Sequence, residues 1–303
     1  MKHVIESQQF DKETLIEIFN KAEELRTASS NILTGKVLAT LFYEPSTRTR
    51  LSFESAMLKL GGDVIGTENA SEFSSAVKGE SLQDTIRIVS SYVDVIVLRH
   101  FETGSAKVAS EVSSVPVINA GDGSGQHPTQ AILDLYTIWR EQGGLDNLTI
   151  LMVGDLKYGR TVSSLCYLLG KFKDNKIIFI SPSNLKIKSG IKEYLEKHDT
   201  NFEESSELNP HLQIADVIYL TRIQKERMSE EEYNNAKGLY GINQDNFHLL
   251  KESARLMHPL PHIEEICLPL AVEGSDKRVA YFRQAENGLY VRMALLLRLL
   301  SSS

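Results

Sequence analysis

The chain holds only two cysteines, Cys166 and Cys267, among 303 residues. Neither belongs to a CxxC pair or a His-rich ligand set, which excludes a disulfide framework, makes an intrinsic zinc site unexpected and points to a reducing compartment, the cytoplasm. A basic surplus is also missing. The net charge is -7, so individual arginines read as local ligands and not as part of a nucleic-acid-binding face. No apolar run reaches the roughly 18 residues of a membrane span, and Met1-Lys2-His3-Val4-Ile5-Glu6-Ser7 has no signal-peptide apolar core. Neither export by that route nor membrane insertion is expected. There is no GxGxxG or GxxxxGK[ST] loop, no cysteine closes a strand, and no Ser/His/Asp order stands out. Nucleotide binding and covalent nucleophilic catalysis are therefore disfavoured.

What is present is ample apolar material, 42% of residues, with 24% charged, enough to pack an interior. A chain of 303 residues fits two domains of about 150 each. Short β-branched runs at 37–43, 94–98, 115–119, 148–154, 176–181, 216–221 and 255–258 alternate with helical apolar spacing at 11–25, 51–60, 81–92 and 128–139. That alternation predicts an α/β fold of two parallel-sheet domains joined by a long helix. The break is expected at Gln142-Gly143-Gly144-Leu145-Asp146-Asn147. This gives domains over 1–143 and 144–287, with residues 288–303, apolar and helical over 288–300, assigned to the first. Residues 68–80 are small, polar and aperiodic, and are expected to form an irregular, mobile loop carrying Ser74 and Lys78.

The most informative run is Tyr43-Glu44-Pro45-Ser46-Thr47-Arg48-Thr49-Arg50, between an apolar strand and a helical pattern. Pro45 sets a turn, Ser46 or Thr47 can cap the helix, and the first-turn N–H groups and two guanidiniums are expected to share one anion, most plausibly a phosphate. Polar groups end the other strands too. Arg99-His100 follow 95–98, and Gly121-Asp122-Gly123-Ser124-Gly125-Gln126-His127-Pro128-Thr129-Gln130 follow 117–119. Asp155 to Thr161 follow 151–154, Thr221-Arg222-Ile223-Gln224 follow 217–220, and Pro259-Leu260-Pro261 follow His258. Ligands of parallel α/β sheets bind beyond the carboxyl ends of strands, so these groups point to a convergent cleft. Rich in arginine and amides, with one histidine and little acid, it suits a reaction between two anions whose transition state gathers charge on oxygen. His127, just before Pro128 at a helix start, is expected to be a neutral imidazole able to donate to a carbonyl oxygen.

These motifs, spread over nearly the whole chain, resemble the aspartate and ornithine carbamoyltransferase family. Ser46-Thr47-Arg48-Thr49-Arg50 resembles its carbamoyl-phosphate signature and His127-Pro128-Thr129-Gln130 its second shared motif. Asp155-Leu156-Lys157-Tyr158-Gly159-Arg160-Thr161-Val162, Thr221-Arg222-Ile223-Gln224-Lys225-Glu226-Arg227 and His258-Pro259-Leu260-Pro261 resemble the catalytic chain of the aspartate branch. The His-Cys-Leu-Pro and Ser-Met-Gly runs of the ornithine branch are not found. The resemblance implies transfer of the carbamoyl group of carbamoyl phosphate to the α-amine of L-aspartate, an early step of pyrimidine synthesis, with no metal or organic cofactor. It implies an active site in the interdomain cleft and at a subunit interface of a homotrimer, with a regulatory chain as a possible partner. Ser46, Thr47, Arg48 and Thr49 would hold the phosphate, and Arg99 phosphate and carbonyl. His127 and Thr49 would polarise the carbonyl, and Gln130 with the Leu260 and Pro261 carbonyls would bind the carbamoyl amine. Arg160, Arg222 and Gln224 would hold aspartate, with Lys78 and Ser74 supplied by a neighbouring subunit. Catalytic roles would fall to Arg48, Thr49, Lys78, Arg99 and His127.

The chain departs from the family pattern at His262, where arginine is usual, and at Ser163, where histidine is common. Neither is expected to touch substrate directly, so tuned affinity or closure energetics are expected, with pH-dependent affinity one consequence of His262. Two alternatives stand beside the main reading: a carbamoyltransferase for another amino acid, against which Arg160, Arg222 and Gln224 speak, and a non-catalytic carbamoyl-phosphate-binding scaffold subunit, against which intact Arg48, Lys78 and His127 speak.

Overall fold

The computed structural model describes residues 1–27, 31–68, 79–225 and 228–301. The chain forms two compact units, Met1–Leu133 with Glu286–Ser303, and Asp134–Ala285. In the first, β1 (Val37–Phe42), β2 (Asp63–Glu68), β3 (Val95–His100) and β4 (Val117–Asp122) form a parallel sheet of order β2-β1-β3-β4. β4 is buried along its whole length and β3 nearly so, as strands covered by crossovers on both faces must be. Ala39, Leu41, Ile96, Leu98 and Val117 pack with Ile86 and Ala109 of the helices Leu82–Val89 and Ser105–Val112. The N-terminal segment extends this sheet, with Val4 bridged in parallel to Ile118.

In the second unit, β5 (Thr149–Val153), β6 (Lys176–Ile180), β7 (Asn201–Ser205), β8 (Val217–Leu220) and a later strand, Arg255–Met257, are all parallel. With β9 (Ile242–Asn243) intervening, that later strand is β10, and the order is β10-β8-β5-β6-β7. β11 (Ile266–Cys267) pairs with β9 as a separate two-stranded piece. Leu151, Val153, Ile178, Ile218, Leu220 and Leu256 form its buried core.

Both orders reverse direction once. In the first sheet the chain turns outward on opposite sides of the β1–β3 pair, in the second on opposite sides of the β5–β8 pair. Crossovers diverge from such a pair, leaving a crevice at the carboxyl ends of the two strands. The residues there are the Tyr43–Arg50 turn and Arg99 in one unit, and Asp155–Arg160 and Thr221–Gln224 in the other.

Some elements differ from the sequence expectation. Arg99, His100, Gly121 and Asp122 close strands β3 and β4 instead of following them. β2 and β7 carry Asp63, Glu203 and Glu204 and show no apolar run. As sheet edges, each has only one neighbour, and β7's acids pair with Lys176 and Lys192. The terminal helix begins at Tyr281, seven residues before the expected 288, because its polar first half is buried with partners. Gln284 donates to Asp134 at 2.6 Å, and Asn287 accepts from Arg26. The expected loop at 68–80 overlaps the end of β2; its residues 69–78 lie outside the described residues.

At the second switch point the backbone approach is close. Thr221 donates its N–H (2.9 Å) and its hydroxyl (3.1 Å) to the Val153 carbonyl. Gly154 follows with φ +111, where a Cβ would press into the Thr221 carbonyl and stand 2.8 Å from its Oγ1. Gly154→Ala is therefore expected to lower unfolding stability by about 2 kcal/mol or more, from backbone strain plus the clash. Urea denaturation checks this, and an unchanged midpoint would remove the constraint placed on Gly154.

Candidate active site

In the first unit Phe42 faces Arg99 across the β1–β3 pair, and the Tyr43 N–H donates to the Arg99 carbonyl at 2.9 Å. That bond starts the turn into the helix Thr47–Lys59. Ser46 sits at the N-cap position without a side-chain capping bond, and the first turn contains no acid. Elsewhere a serine does cap, as Ser81 does to Asp84 N–H at 3.1 Å. The Ser46–Thr47 start therefore presents backbone donors with the positive end of the helix dipole. Arg48 stands in that first turn with an exposed side chain. Desolvation by the surrounding protein pushes its guanidinium down from its ordinary value, although a guanidinium starts high enough to stay charged. Among the described residues no acid pairs with it, so it is a cation placed where the helix field opposes it. An anion would relieve both penalties.

The second arginine of the turn does not share this role. Arg50 Nε donates to Glu54 Oε1 at 2.8 Å, and the same oxygen accepts from Thr40 Oγ1 at 2.9 Å. The expectation of two free guanidiniums at this spot is corrected to one, because an i,i+4 carboxylate holds Arg50 along the helix.

Arg99 donates to the Ala120 carbonyl at 3.2 Å, and its Nη2 lies 3.5 Å from Glu44 Oε2. The guanidinium is thus braced between the β4 end and the Ser46 turn. Thr49 is buried one residue on from Arg48. His127 is buried at the start of the helix Pro128–Gln142, its carbonyl accepting the first helical bond from Ala131 N–H at 3.1 Å and its Nδ1 3.4 Å from Thr129 Oγ1. The loop before it is pinned by Asp122, which accepts from the Gly104 and Gln126 N–H groups at 2.8 Å each. Gln130 follows in the first turn, half-buried.

In the second unit Arg160 opens the helix Arg160–Leu169, whose N-cap is Gly159, again with no side-chain cap and no first-turn acid. Asp155, fully buried, accepts from Tyr158 N–H at 2.9 Å and from Gln224 Nε2 at 3.3 Å. Burial pushes its carboxyl above the ordinary range despite those bonds. Gln224 is thereby fixed to the β5 end, and Arg222, half-buried, lies between it and Thr221. Leu260 is half-buried with φ +58, and Pro261 is exposed. Glu44, Glu54 and Asp155 are the acids that hold candidate groups, and sequence reasoning passed over them. Their only signal was position within or next to the motifs. Lys78 and Ser74 lie outside the described residues.

Parallel α/β units with cations and amides gathered at strand ends define a protein that handles anionic substrates. Residues 2–140 match the carbamoyl-P binding domain of the aspartate/ornithine carbamoyltransferases, and residues 146–299 match their Asp/Orn binding domain. The chain is 56% identical over 300 residues to aspartate carbamoyltransferase 1, chloroplastic, of Pisum sativum, covering 97% of this chain and 77% of that one. Its fold is similar to the catalytic subunit of M. jannaschii aspartate transcarbamoylase, with a TM-score of 0.91 at 47% identity over 100% of this chain and 99% of the other. It is also similar to aspartate transcarbamoylase from Trypanosoma cruzi solved with carbamoyl phosphate and aspartate, with a TM-score of 0.91 at 36% identity over 99% and 95% of the two chains. The chain belongs to the aspartate/ornithine carbamoyltransferase family.

His100, beside Arg99, links this site to acid stability. It is buried against Tyr43 and Phe101, and its Nδ1 accepts from Glu102 N–H at 3.0 Å. Burial lowers its pKa from the ordinary 6.5, only partly offset by Glu102, Glu44 and Asp122. Below 6.5 the unfolded chain takes up the proton more readily than the folded one. Its contribution is thus complete above that value and declines as pH falls toward the lowered folded value. Stability is expected to fall between about pH 7 and about pH 5.5, and to fall less in His100→Asn, which keeps an acceptor for Glu102 N–H but cannot titrate. Denaturant unfolding at both pH values checks this, and identical losses in the two proteins would exclude His100 as the cause.

Proposed function

We propose that the uncapped helix start at Ser46–Arg48 binds the phosphate of carbamoyl phosphate and that Arg160, Arg222 and Gln224 bind L-aspartate. The protein is an aspartate carbamoyltransferase, forming N-carbamoyl-L-aspartate and phosphate. The observation that carries the assignment of residues is the helix start at Ser46–Arg48. At both sheet switch points a helix without a side-chain cap has an arginine and no acid in its first turn, and at the first of them no acid among the described residues pairs with Arg48. A cation at that first start is unfavourable until an anion arrives, so the Ser46–Arg48 start favours a bound anion. Phosphate suits the first and a carboxylate the second, with Arg222 providing a second fork for aspartate's other carboxylate.

In the chemistry we assign, the neutral α-amine of aspartate attacks the carbamoyl carbon and negative charge grows on the carbonyl oxygen. Arg99, Thr49 and His127 donate to that oxygen, and stabilising developing charge is the largest contribution such a site makes. Gln130 and the carbonyls of Leu260 and Pro261 hold the carbamoyl amine. The C–O bond to phosphate then breaks, Arg48, Arg99 and Lys78 take up the charge on the leaving group, and the departing phosphate accepts a proton from the amine. Positioning of both anions supplies much of the remaining acceleration.

The working form proposed is a homotrimer in which Lys78 and Ser74 serve a neighbour's site. The support is that residues 2–140, which include 68–80, match the family's carbamoyl-P binding domain. The product is consumed in pyrimidine synthesis, and the two unpaired cysteines favour a reducing compartment, the cytoplasm. No helix among the described residues is long and apolar enough to cross a membrane.

Phosphate release from carbamoyl phosphate is expected with L-aspartate and not with L-ornithine. Arg48→Gln and Lys78→Ala should each lower kcat by roughly a hundredfold or more, as loss of a charge-stabilising donor does. Arg222→Gln should instead raise the aspartate KM with little change in that for carbamoyl phosphate. Release that is indifferent to aspartate, or a fully active Arg48→Gln protein, would overturn the assignment.

A further inference from the structure

His258 is 2% exposed and sits where β10 leaves its sheet, two residues before Leu260. Its ring is used at both nitrogens. Nδ1 accepts from Leu260 N–H at 2.8 Å, and Nε2 lies 2.9 Å from Glu265 Oε1. A ring that accepts at Nδ1 carries its proton on Nε2, so Leu260 N–H fixes the tautomer and leaves Nε2–H beside Glu265. Glu265 is itself buried and accepts from Ile263 N–H at 3.1 Å. Burial tends to raise its carboxyl, but His258 and the backbone donors outweigh that and hold it below the ordinary value. The backbone of His258 is fixed as well. Its N–H donates to Gln284 Oε1 at 2.8 Å, Gln284 donates to Asp134 Oδ1 at 2.6 Å, and Tyr219 donates to Asp134 Oδ2 at 2.7 Å.

The turn held by this ring is strained. Leu260 has φ +58, a conformation a branched side chain seldom adopts unless its surroundings impose it. Leu260 N–H is the one backbone group of the residue that the imidazole grips, and the direction of that N–H fixes the peptide plane before it and, through φ, that of the carbonyl after it. We propose that His258 is a positioning residue: through Nδ1 it holds Leu260 in the left-handed conformation that aims the Leu260 and Pro261 carbonyls, while Glu265 holds the ring. This rests on the reading that those carbonyls accept from the carbamoyl amine. Recognition of that amine, as opposed to the phosphate, then depends on a buried histidine that touches no substrate.

The test separates the two ring nitrogens. In His258→Asn the side-chain oxygen can replace Nδ1 and keep its bond to Leu260 N–H. In His258→Gln the longer amide can replace Nε2–H toward Glu265 but leaves Leu260 N–H unpaired. Dissociation constants are measured for carbamoyl phosphate, for acetyl phosphate, in which a methyl replaces the amine, and for inorganic phosphate. Native protein should prefer carbamoyl over acetyl phosphate by roughly tenfold or more, since a buried acceptor left without its donor is penalised. His258→Asn should retain that preference and His258→Gln should lose most of it, with inorganic phosphate bound within about twofold of native by both. A merely structural role would weaken all three ligands together. Equal preference in both variants, or the reverse order, overturns the positioning role while leaving the carbonyl reading intact. Absence of any preference in native protein overturns the carbonyl reading, and the positioning role with it. Should a His258 variant fail to fold, Glu265→Gln keeps an acceptor for Nε2–H and should keep the preference; its loss in a folded Glu265→Gln protein counts against the proposal.

Discussion

Two strand adjacencies, β1 beside β3 and β5 beside β8, are the constraint on which the rest of the structure depends. Each joins segments distant in sequence, Phe42 facing Arg99 in one case and Val153 facing Leu220 in the other. At the end of each pair the ladder stops, and backbone groups that can no longer find a strand partner must be met by turns, side chains or ligands. The Tyr43 N–H reaches the Arg99 carbonyl, and the Thr221 N–H and hydroxyl reach the Val153 carbonyl. Those bonds determine where the following turns begin, and so where Ser46, Arg48, Asp155 and Gln224 fall. Register errors of one residue at either pair would reverse which side chains face the crossovers and would take the site apart with the core.

Arginines divide into two kinds by what stands opposite them. Arg255 and Arg283 both donate to Glu141, at 2.8 Å and 2.7 Å, and the two guanidiniums hold its carboxyl below the ordinary range even though burial acts the other way. Arg278 is matched by Asp276, and Arg50 by Glu54. These pairs hold the fold, and their geometry is complete without a ligand. Arg48 differs in having a helix terminus of its own sign nearby and an environment that penalises its charge. A cation so placed is favoured by a bound anion, which is why the electrostatics of a candidate site are more telling than the number of arginines in it.

How much of this was legible in the sequence follows from what each residue faces. Strands β1, β3, β4, β5 and β8 are buried along nearly their whole length, so their apolar runs marked them. Edge strands β2 and β7 are half in solvent, and their acidic residues and Asn201 hid them. The terminal helix was foreseen from 288 onward, where its face is apolar. Its first turns were missed because Gln284 and Asn287 are buried by hydrogen bonding and not by apolarity, a pairing with Asp134 and Arg26 that no periodicity records. The turn motifs named the candidate site residues, but the acids that orient them could not be assigned. Asp155 and Glu54 lie inside or beside those motifs, yet only the folded register tells a carboxylate that braces Gln224 from one that is solvated.

The departures from the family pattern can be read in the same terms. Ser163 is buried in the helix Arg160–Leu169, within its first turn, where a small hydroxyl leaves the uncapped start undisturbed. His262 sits in a small polar cluster: its Nε2 lies 3.5 Å from Glu273 Oε1, its ring packs 5.2 Å from Tyr281, and Tyr281 donates to the same glutamate oxygen. An arginine there would meet Glu273 as a permanent ion pair. The histidine keeps that acid as its neighbour, and its ring also packs edge-on near His258, at 6.2 Å. The substitution thus places an imidazole instead of a guanidinium next to the Leu260–Pro261 turn while keeping the same acidic neighbour. It leaves Arg48 and Arg160, the cations proposed to face the anions, where the two strand pairs put them.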